Sequence, residues 1–219
     1  MRGHNTFSEE LNKLRKTILA MASRVERDLD KALAVLHGED AELAREVKAD
    51  DAVINSLQLK IEDDAASLLA AYGPVARDLR ELVTVFKLTA NLERMGDYAV
   101  HLAKAALKLR SEPSFRFSKR MEKMAQTGSL MLRLTIEAYL EQNAAHAREA
   151  AQLDSEIDAE HKALTEEAIG LIKEHPELAK KALRLLQASG FLERFGDHIT
   201  NMCESVIYMV ESSHEELNG

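Results

Sequence analysis

A lone cysteine, Cys203, leaves the chain without an intramolecular disulfide and without a Cys-x-x-Cys metal site. It lies among Met202, Val206, Ile207 and Val210 on a helical apolar stripe, where a free thiol is expected to be a buried packing group. Tryptophan is absent, and there are only three prolines and nine glycines in 219 residues. Against a background rich in Ala, Leu, Glu and Lys, that scarcity of breakers favours helix over sheet. No apolar run approaches the ~20 residues needed to cross a bilayer, and the opening MRGHNTFSEEL has no apolar signal core. A reducing, cytoplasmic setting is therefore expected, with membrane association only through partners. Basic surplus is missing too, since the net charge is −8, with 29 Lys and Arg against 37 Asp and Glu. Nucleic acid is excluded as the main partner, because phosphate binding needs a surplus of cations. There is no Gly-rich phosphate loop, no G-x-S-x-G and no Cys/His pair of catalytic kind, so no enzyme is expected.

What the chain does have is apolar spacing of three to four residues nearly throughout. Ser8 reads as the N-cap of a first helix, with Glu9 and Glu10 in its first turn, ending at His37-Gly38. A second runs from about Leu43 to Tyr72-Gly73, and Pro74 suits the first turn of a third that continues to about Arg110. Ser111 to Arg120 reads as a linker. Beyond it, helices are expected from about Ser118 to Asn143, from about Ala145 to Glu174, and from Pro176 to about Ser213. Such helices, of ~25–38 residues and ~40–55 Å, pack as antiparallel bundles when short turns join them. The expected fold is all-α, six long helices in two tandem three-helix bundles, residues 1–112 and 113–219.

The two halves share a signature. Asn91-Leu-Glu-Arg-Met-Gly-Asp97 returns as Phe191-Leu-Glu-Arg-Phe-Gly-Asp197, an offset of 100 residues. Glu93 and Asp97 stand one turn apart on one helix face, and with Glu93 at 0° Asp97 falls near ~40°. Leu92, Met95, Ala99, Leu102 and Ala103 fall roughly 80–200° away on the buried side, which places the acids outside the three-helix core. Gly96 and Gly196 remove bulk between the acids, where another helix can approach closely. Arg94 and Arg194 are expected to balance neighbouring charge, and His101 lies on the carboxylate face.

Companion pairs stand on the second and fifth helices. Asp51/Asn55 and Asp154/Asp158 place oxygen ligands at i and i+4, at an offset of 103 residues. Like charges so spaced cost a helix a few tenths of a kcal/mol, and a hard or borderline cation offsets that repulsion. Each half thus presents a candidate metal site of two pairs on neighbouring helices. Preservation of the motif for helix packing through the glycines is the competing explanation.

Pro74 to Ala106, PVARDLRELVTVFKLTANLERMGDYAVHLAKAA, and Gly190 to Val210, GFLERFGDHITNMCESVIYMV, resemble the two signature regions of the PhoU family of phosphate-transport regulators. The resemblance covers nearly the whole chain and implies an all-α pair of three-helix bundles. It implies divalent or trivalent metal ions, including multinuclear iron or zinc, at Glu93/Asp97, Glu193/Asp197 and Asp154/Asp158. Asp51/Asn55 departs from the family's motif, because Asn55 offers a neutral carbonyl. It also implies a non-enzymatic negative regulator of phosphate uptake and the phosphate-starvation response. Its partners would be the ATPase subunit of the phosphate ABC transporter and a sensor histidine kinase, and it would form a homodimer. Two alternatives stay open on the residues. One is a di-iron carboxylate or iron-storage bundle, for which Asp158-Ala-Glu-His161 is the nearest match to Glu-x-x-His. The other is a metal-free helical adaptor, including one for another phosphate permease.

Overall fold

The computed structural model describes residues 2–38, 40–109 and 118–217, with side chains for these from residue 6 onward except at 118. Seven α-helices follow in order: α1 Arg2–Leu36, α2 Glu42–Tyr72, α3 Ala76–Leu109, α4 Ser118–Glu141, α5 Ala144–Gln152, α6 Asp154–Glu174 and α7 Ala179–Glu211. A short 3₁₀ turn, Pro176–Leu178, leads into α7. Among the described residues there is no strand, and no helix is long and apolar enough to cross a membrane. The expected all-α fold is what forms: six long helical rods, the fifth broken into α5 and α6.

Three boundaries differ from the sequence reading. Ser8 is not a cap; α1 begins upstream, and Phe7 is buried with its ring 5.4 Å from that of Tyr72. That contact on the far end of α2 rewards the additional turn. Pro74 precedes α3 instead of opening it, because the chain turns through Gly73 at φ +51° and again at Ala76, the first residue of α3, at φ +51°. Leu153 interrupts the fifth rod, its N–H donating to Ala150 O at 3.2 Å, a tightened turn in place of the α-helical bond. The linker expected at Ser111 to Arg120 lies largely outside the described residues, and α4 begins at Ser118, as read.

The second rod ends as read, with Gly73 left-handed and its N–H donating to Leu69 O at 3.1 Å. Asn143 caps α5, its Oδ1 accepting from the Ala145 and His146 N–H groups at 3.0 and 3.2 Å.

In the first half α1, α2 and α3 pack on one another, and in the second α4, α5/α6 and α7 do the same. The halves are joined most extensively along α3 and α7, with α1 against α4 beside them. A single apolar cluster runs through both halves, with Leu82, Val85, Leu88, Leu92 and Met95 from α3 and Phe195, Ile199, Met202 and Val206 from α7. α3 and α7 are antiparallel. Arg80 Nε donates to Met209 O at 3.1 Å and Thr84 Oγ1 to Ser205 O at 3.2 Å. Farther along, Asn91 Oδ1 meets His198 Nδ1 at 2.8 Å, and the rings of Tyr98 and Phe191 stack with centroids 6.3 Å apart.

Those last two contacts are reciprocal. With the offset of 100 residues, Asn91 corresponds to Phe191 and Tyr98 to His198. Each position therefore meets the partner of the other, as across a two-fold axis. The axis passes between the pairs, where both copies of Leu-Glu-Arg-x-Gly-Asp lie.

Candidate metal centre

The glycines of the repeated motif decide how closely α2 can lie on α3 and α6 on α7. A Cβ on Gly96 would stand 3.1 Å from Ile54 Cδ1, and one on Gly196 would stand 3.0 Å from Ile157 Cδ1 while overlapping Asp154 Oδ1. Ile54 and Ile157 are fully buried and 103 residues apart, the offset that relates Asp51 to Asp154. The two seams share one register. Packing thus explains the glycines, and it also carries the companion pairs of α2 and α6 alongside the acids of α3 and α7.

The acids sit half-buried at these seams, short of full solvent. Glu93 keeps 20% of its side-chain surface and Asp97 34%. In the first cluster burial raises the pKa of Asp51, and the Asp97 carboxylate adds to the effect. Burial likewise raises Glu93, with Asp97, Asp51 and Glu62 adding and Arg94 opposing. Arg94 Nη1 reaches Asp97 Oδ2 at 3.2 Å, which is the charge-balancing role expected of it. Glu62, not singled out in the sequence, lies seven residues beyond Asn55 on α2 and belongs to this field.

The second cluster is tighter. Asp154 is pushed up to about 6 by burial and by Asp158, Asp197 and Glu193, against a hydrogen bond from Thr200. That bond runs from Thr200 Oγ1 to Asp154 Oδ2 at 3.1 Å. Asp197 is raised by burial and by Glu193 and Asp158, with Arg194 opposing. Thr200 also escaped the sequence reading, although it follows Asp197 by three residues and Glu193 by seven on the same helix face. The break at Leu153 makes Asp154 the first residue of α6, whereas Asp51 stands mid-helix in α2.

The structure therefore gathers Asp51, Glu93 and Asp97 in one cluster, with Asn55 a turn on from Asp51, and Asp154, Asp158, Glu193 and Asp197 in the other. Among the described residues, no three His, Cys, Asp or Glu side chains are closed around a point that would hold an ion as they stand. Three buried oxygens, Asp51 Oδ1, Asn55 Oδ1 and Asp154 Oδ1, have no hydrogen-bond donor. Buried acceptors without donors are costly, and an all-oxygen set of carboxylates and one amide carbonyl is what hard cations take. The residues fit a metal ion.

The histidines go elsewhere. His101 stacks on Phe191 with centroids 5.2 Å apart, and His198 bonds Asn91. Burial, helped by Arg94, lowers the pKa of His198. Cys203 is fully buried against Thr135 Oγ1 at 3.1 Å, and burial pushes its thiol up to about 12, the inert packing thiol expected. His161, the one histidine of the di-iron-like spacing, bonds Ser189 Oγ through Nδ1 at 3.0 Å. It lines an open cleft of about 560 Å³ with Glu193, Arg194 and Asp197.

Known proteins share this architecture. The chain is 33% identical over 214 residues to a phosphate-specific transport system accessory protein PhoU homolog of Streptococcus pneumoniae, covering 98% of this chain and 99% of that one. It is 31% identical over 213 residues to the Clostridium acetobutylicum protein of the same name, covering 97% of both. The crystal structure of PhoU from Pseudomonas aeruginosa superposes with a TM-score of 0.89 at 32% identity, covering 94% of this chain and 100% of that one. The family model of the PhoU domain matches twice, at residues 18–106 and 121–206, once on each side of the α3–α7 seam. With a doubled domain, a shared fold and relatives matched end to end, the chain belongs to the PhoU family.

Proposed function

We propose that this protein is an accessory regulator of phosphate transport that acts by contact and not by catalysis. Its named relatives are accessory proteins of the phosphate-specific transport system, and that role is the coarse reading. The finer reading is negative regulation of uptake and of the phosphate-starvation response. In it the protein is a cytoplasmic adaptor, and a homodimer, between the ATPase subunit of a phosphate ABC transporter and a sensor histidine kinase. The repeats act as two units, residues 1–112 and 113–219.

The observation that carries the mechanism is the pair of oxygen clusters flanking the two-fold seam, three of whose buried acceptors lack donors. Asp154, Asp158, Glu193 and Asp197 would hold a metal ion on the second repeat, and Asp51, Asn55, Glu93 and Asp97 one on the first. A bound cation supplies charge neutralisation, which draws α2 onto α3 and α6 onto α7. The second set is favoured, since it has four carboxylates where the first has three and an amide. The surface presented to the partners is then set by how firmly each seam is closed.

Two experiments separate the parts. Elemental analysis of protein purified without chelator should find iron, zinc or another multivalent metal in stoichiometric amount. Trace metal, with none taken up on reconstitution, would remove the ion and leave a metal-free adaptor. Deletion of the gene should release phosphate-starvation reporters in phosphate-rich medium; unchanged repression would contradict the regulatory role.

A further inference from the structure

We infer that the open end of the α3–α7 seam binds a small multivalent oxyanion of the phosphate or sulfate class. His101, Lys104 and Lys108 form one stripe of α3, and Arg184, Gln187 and Phe191 form the facing stripe of α7. Between them lies a cavity of about 190 Å³. Three permanent cations, an imidazole and a carboxamide line it, and among the described residues no carboxylate does. In a chain of net charge −8, where Arg15, Arg24, Arg120, Arg133 and Arg148 are all paired with acids, this is a local reversal of sign. Among the described residues Lys104, Lys108 and Arg184 form no such ion pair.

The two-fold relation shows that the fold does not impose this cavity. At the opposite end of the seam Glu204 stands where Lys104 would, Tyr208 where Lys108 would, and Thr84 where Arg184 would. There the space is filled. Lys87 lies over the Tyr208 ring at 5.4 Å, His214 stacks on that ring with centroids 4.4 Å apart, and Glu204 Oε1 accepts the Leu217 N–H at 2.7 Å. One end is closed by the C-terminal segment and carries an acid; the other is left open and carries bases.

The donors suit a tetrahedral anion. They converge from two helices that are fixed against each other by the apolar seam, so little ordering is needed on binding. The Arg184 guanidinium offers paired N–H donors, and the lysines offer point charges. Phe191, stacked on His101, forms the apolar wall between this cavity and the acidic cleft of the second repeat. Lys104 and His101 also act on the Asp51 carboxyl, which sets anion and first acid cluster side by side.

The test is calorimetric titration of the full-length protein with inorganic phosphate, in low salt with chelator present so that anion held through a metal does not contribute. One saturable site is expected, with sulfate competing and chloride at equal ionic strength not. The double variant K108Q/R184Q removes two charge-assisted donors and should weaken binding about tenfold or more, which is ~1.4 kcal/mol or more. K16Q/K48Q, which removes two exposed cations elsewhere, should leave it unchanged. All four side chains are at the surface, and unchanged melting temperatures will confirm intact folds. As a second readout, phosphate should shift the His101 ring proton resonances. Absence of saturable heat, or equal weakening by both double variants, would overturn the inference. Because chelated protein is used, failure here leaves the metal reading standing, and the reverse holds too.

Discussion

Replacing Gly196 by alanine should destabilise the protein where replacing Gly96 should not. The new methyl at Gly196 falls onto Asp154 Oδ1 and within 3.0 Å of Ile157 Cδ1, whereas at Gly96 it meets only the Ile54 side chain, Cδ1 at 3.1 Å and Cγ2 at 3.4 Å. Both substitutions gain about 1 kcal/mol of helix propensity. At Gly96 a rotation of the Ile54 terminal methyl costs about as much, so the net change is near zero. At Gly196 overpacking costs about 1–3 kcal/mol. Displacing Asp154 also breaks its bond from Thr200, a hydrogen bond to a charged group worth ~1.5–3 kcal/mol. The net loss should be about 1.5–5 kcal/mol, or roughly 3–20 °C in melting temperature for a chain of this size. Thermal unfolding followed by circular dichroism reads it directly. Removing the obstacle with D154A should recover much of the loss in a double-mutant cycle, with a coupling of about 1–2 kcal/mol. Equal stability of the two alanine variants, or strict additivity with D154A, would refute the account of these glycines.

Three further outcomes follow from buried acids. Asp28 is 1% exposed and held up at about 7, first by burial and then by Asp50, with Oδ1 lacking a donor. Its folded pKa lies above the ordinary carboxyl value, so stability present at low pH is lost as pH rises towards 7, and the advantage of D28N over wild type in melting temperature should grow from pH 5 to pH 8. Asp154, pushed up to about 6, has the same sign. D154N should raise the stability of chelated protein above pH 6 yet reduce the stabilisation gained on adding metal. Glu81, 1% exposed, receives Arg15 Nε and Nη2 at 2.6 and 2.7 Å, Tyr139 Oη at 3.3 Å and Gln142 Nε2 at 3.1 Å. Because that network ties α1 and α3 to α4, E81A should cost about 3 kcal/mol in urea unfolding.

Much of this architecture was legible in the residues because its causes are local. Apolar spacing marked the rods, Gly73 closed the second, and equal offsets brought Asp51 beside Glu93 and Asp154 beside Glu193. The rest depends on distant contacts. Nothing near Ser8 announces that Phe7 will find Tyr72. Leu153 is an ordinary helix former, and only the geometry around it shows that Asp154 opens a new helix. Glu81 gathers Arg15, Tyr139 and Gln142 from remote stretches, while its counterpart in the second repeat is Lys181. The acids were placed on the correct helix face but read as more solvent-facing than they are, because a helical wheel of one rod cannot see its neighbour.

The reciprocal contacts of Asn91 with His198 and Tyr98 with Phe191 have a historical consequence. An interface in which each position meets its own counterpart's neighbour is the form taken by two copies of one chain. The α3–α7 seam thus has the form of a subunit interface held within a single polypeptide. A forerunner with one repeat would have paired through the face bearing Leu92 and Met95, with both ends of that interface identical by symmetry. Fusion replaced an encounter between molecules by a tethered one, which secures association at any protein concentration. It also released the two ends from being the same. Glu204 with Tyr208 at one end and Lys104 with Lys108 at the other is a difference that no symmetric pair of identical chains could have acquired.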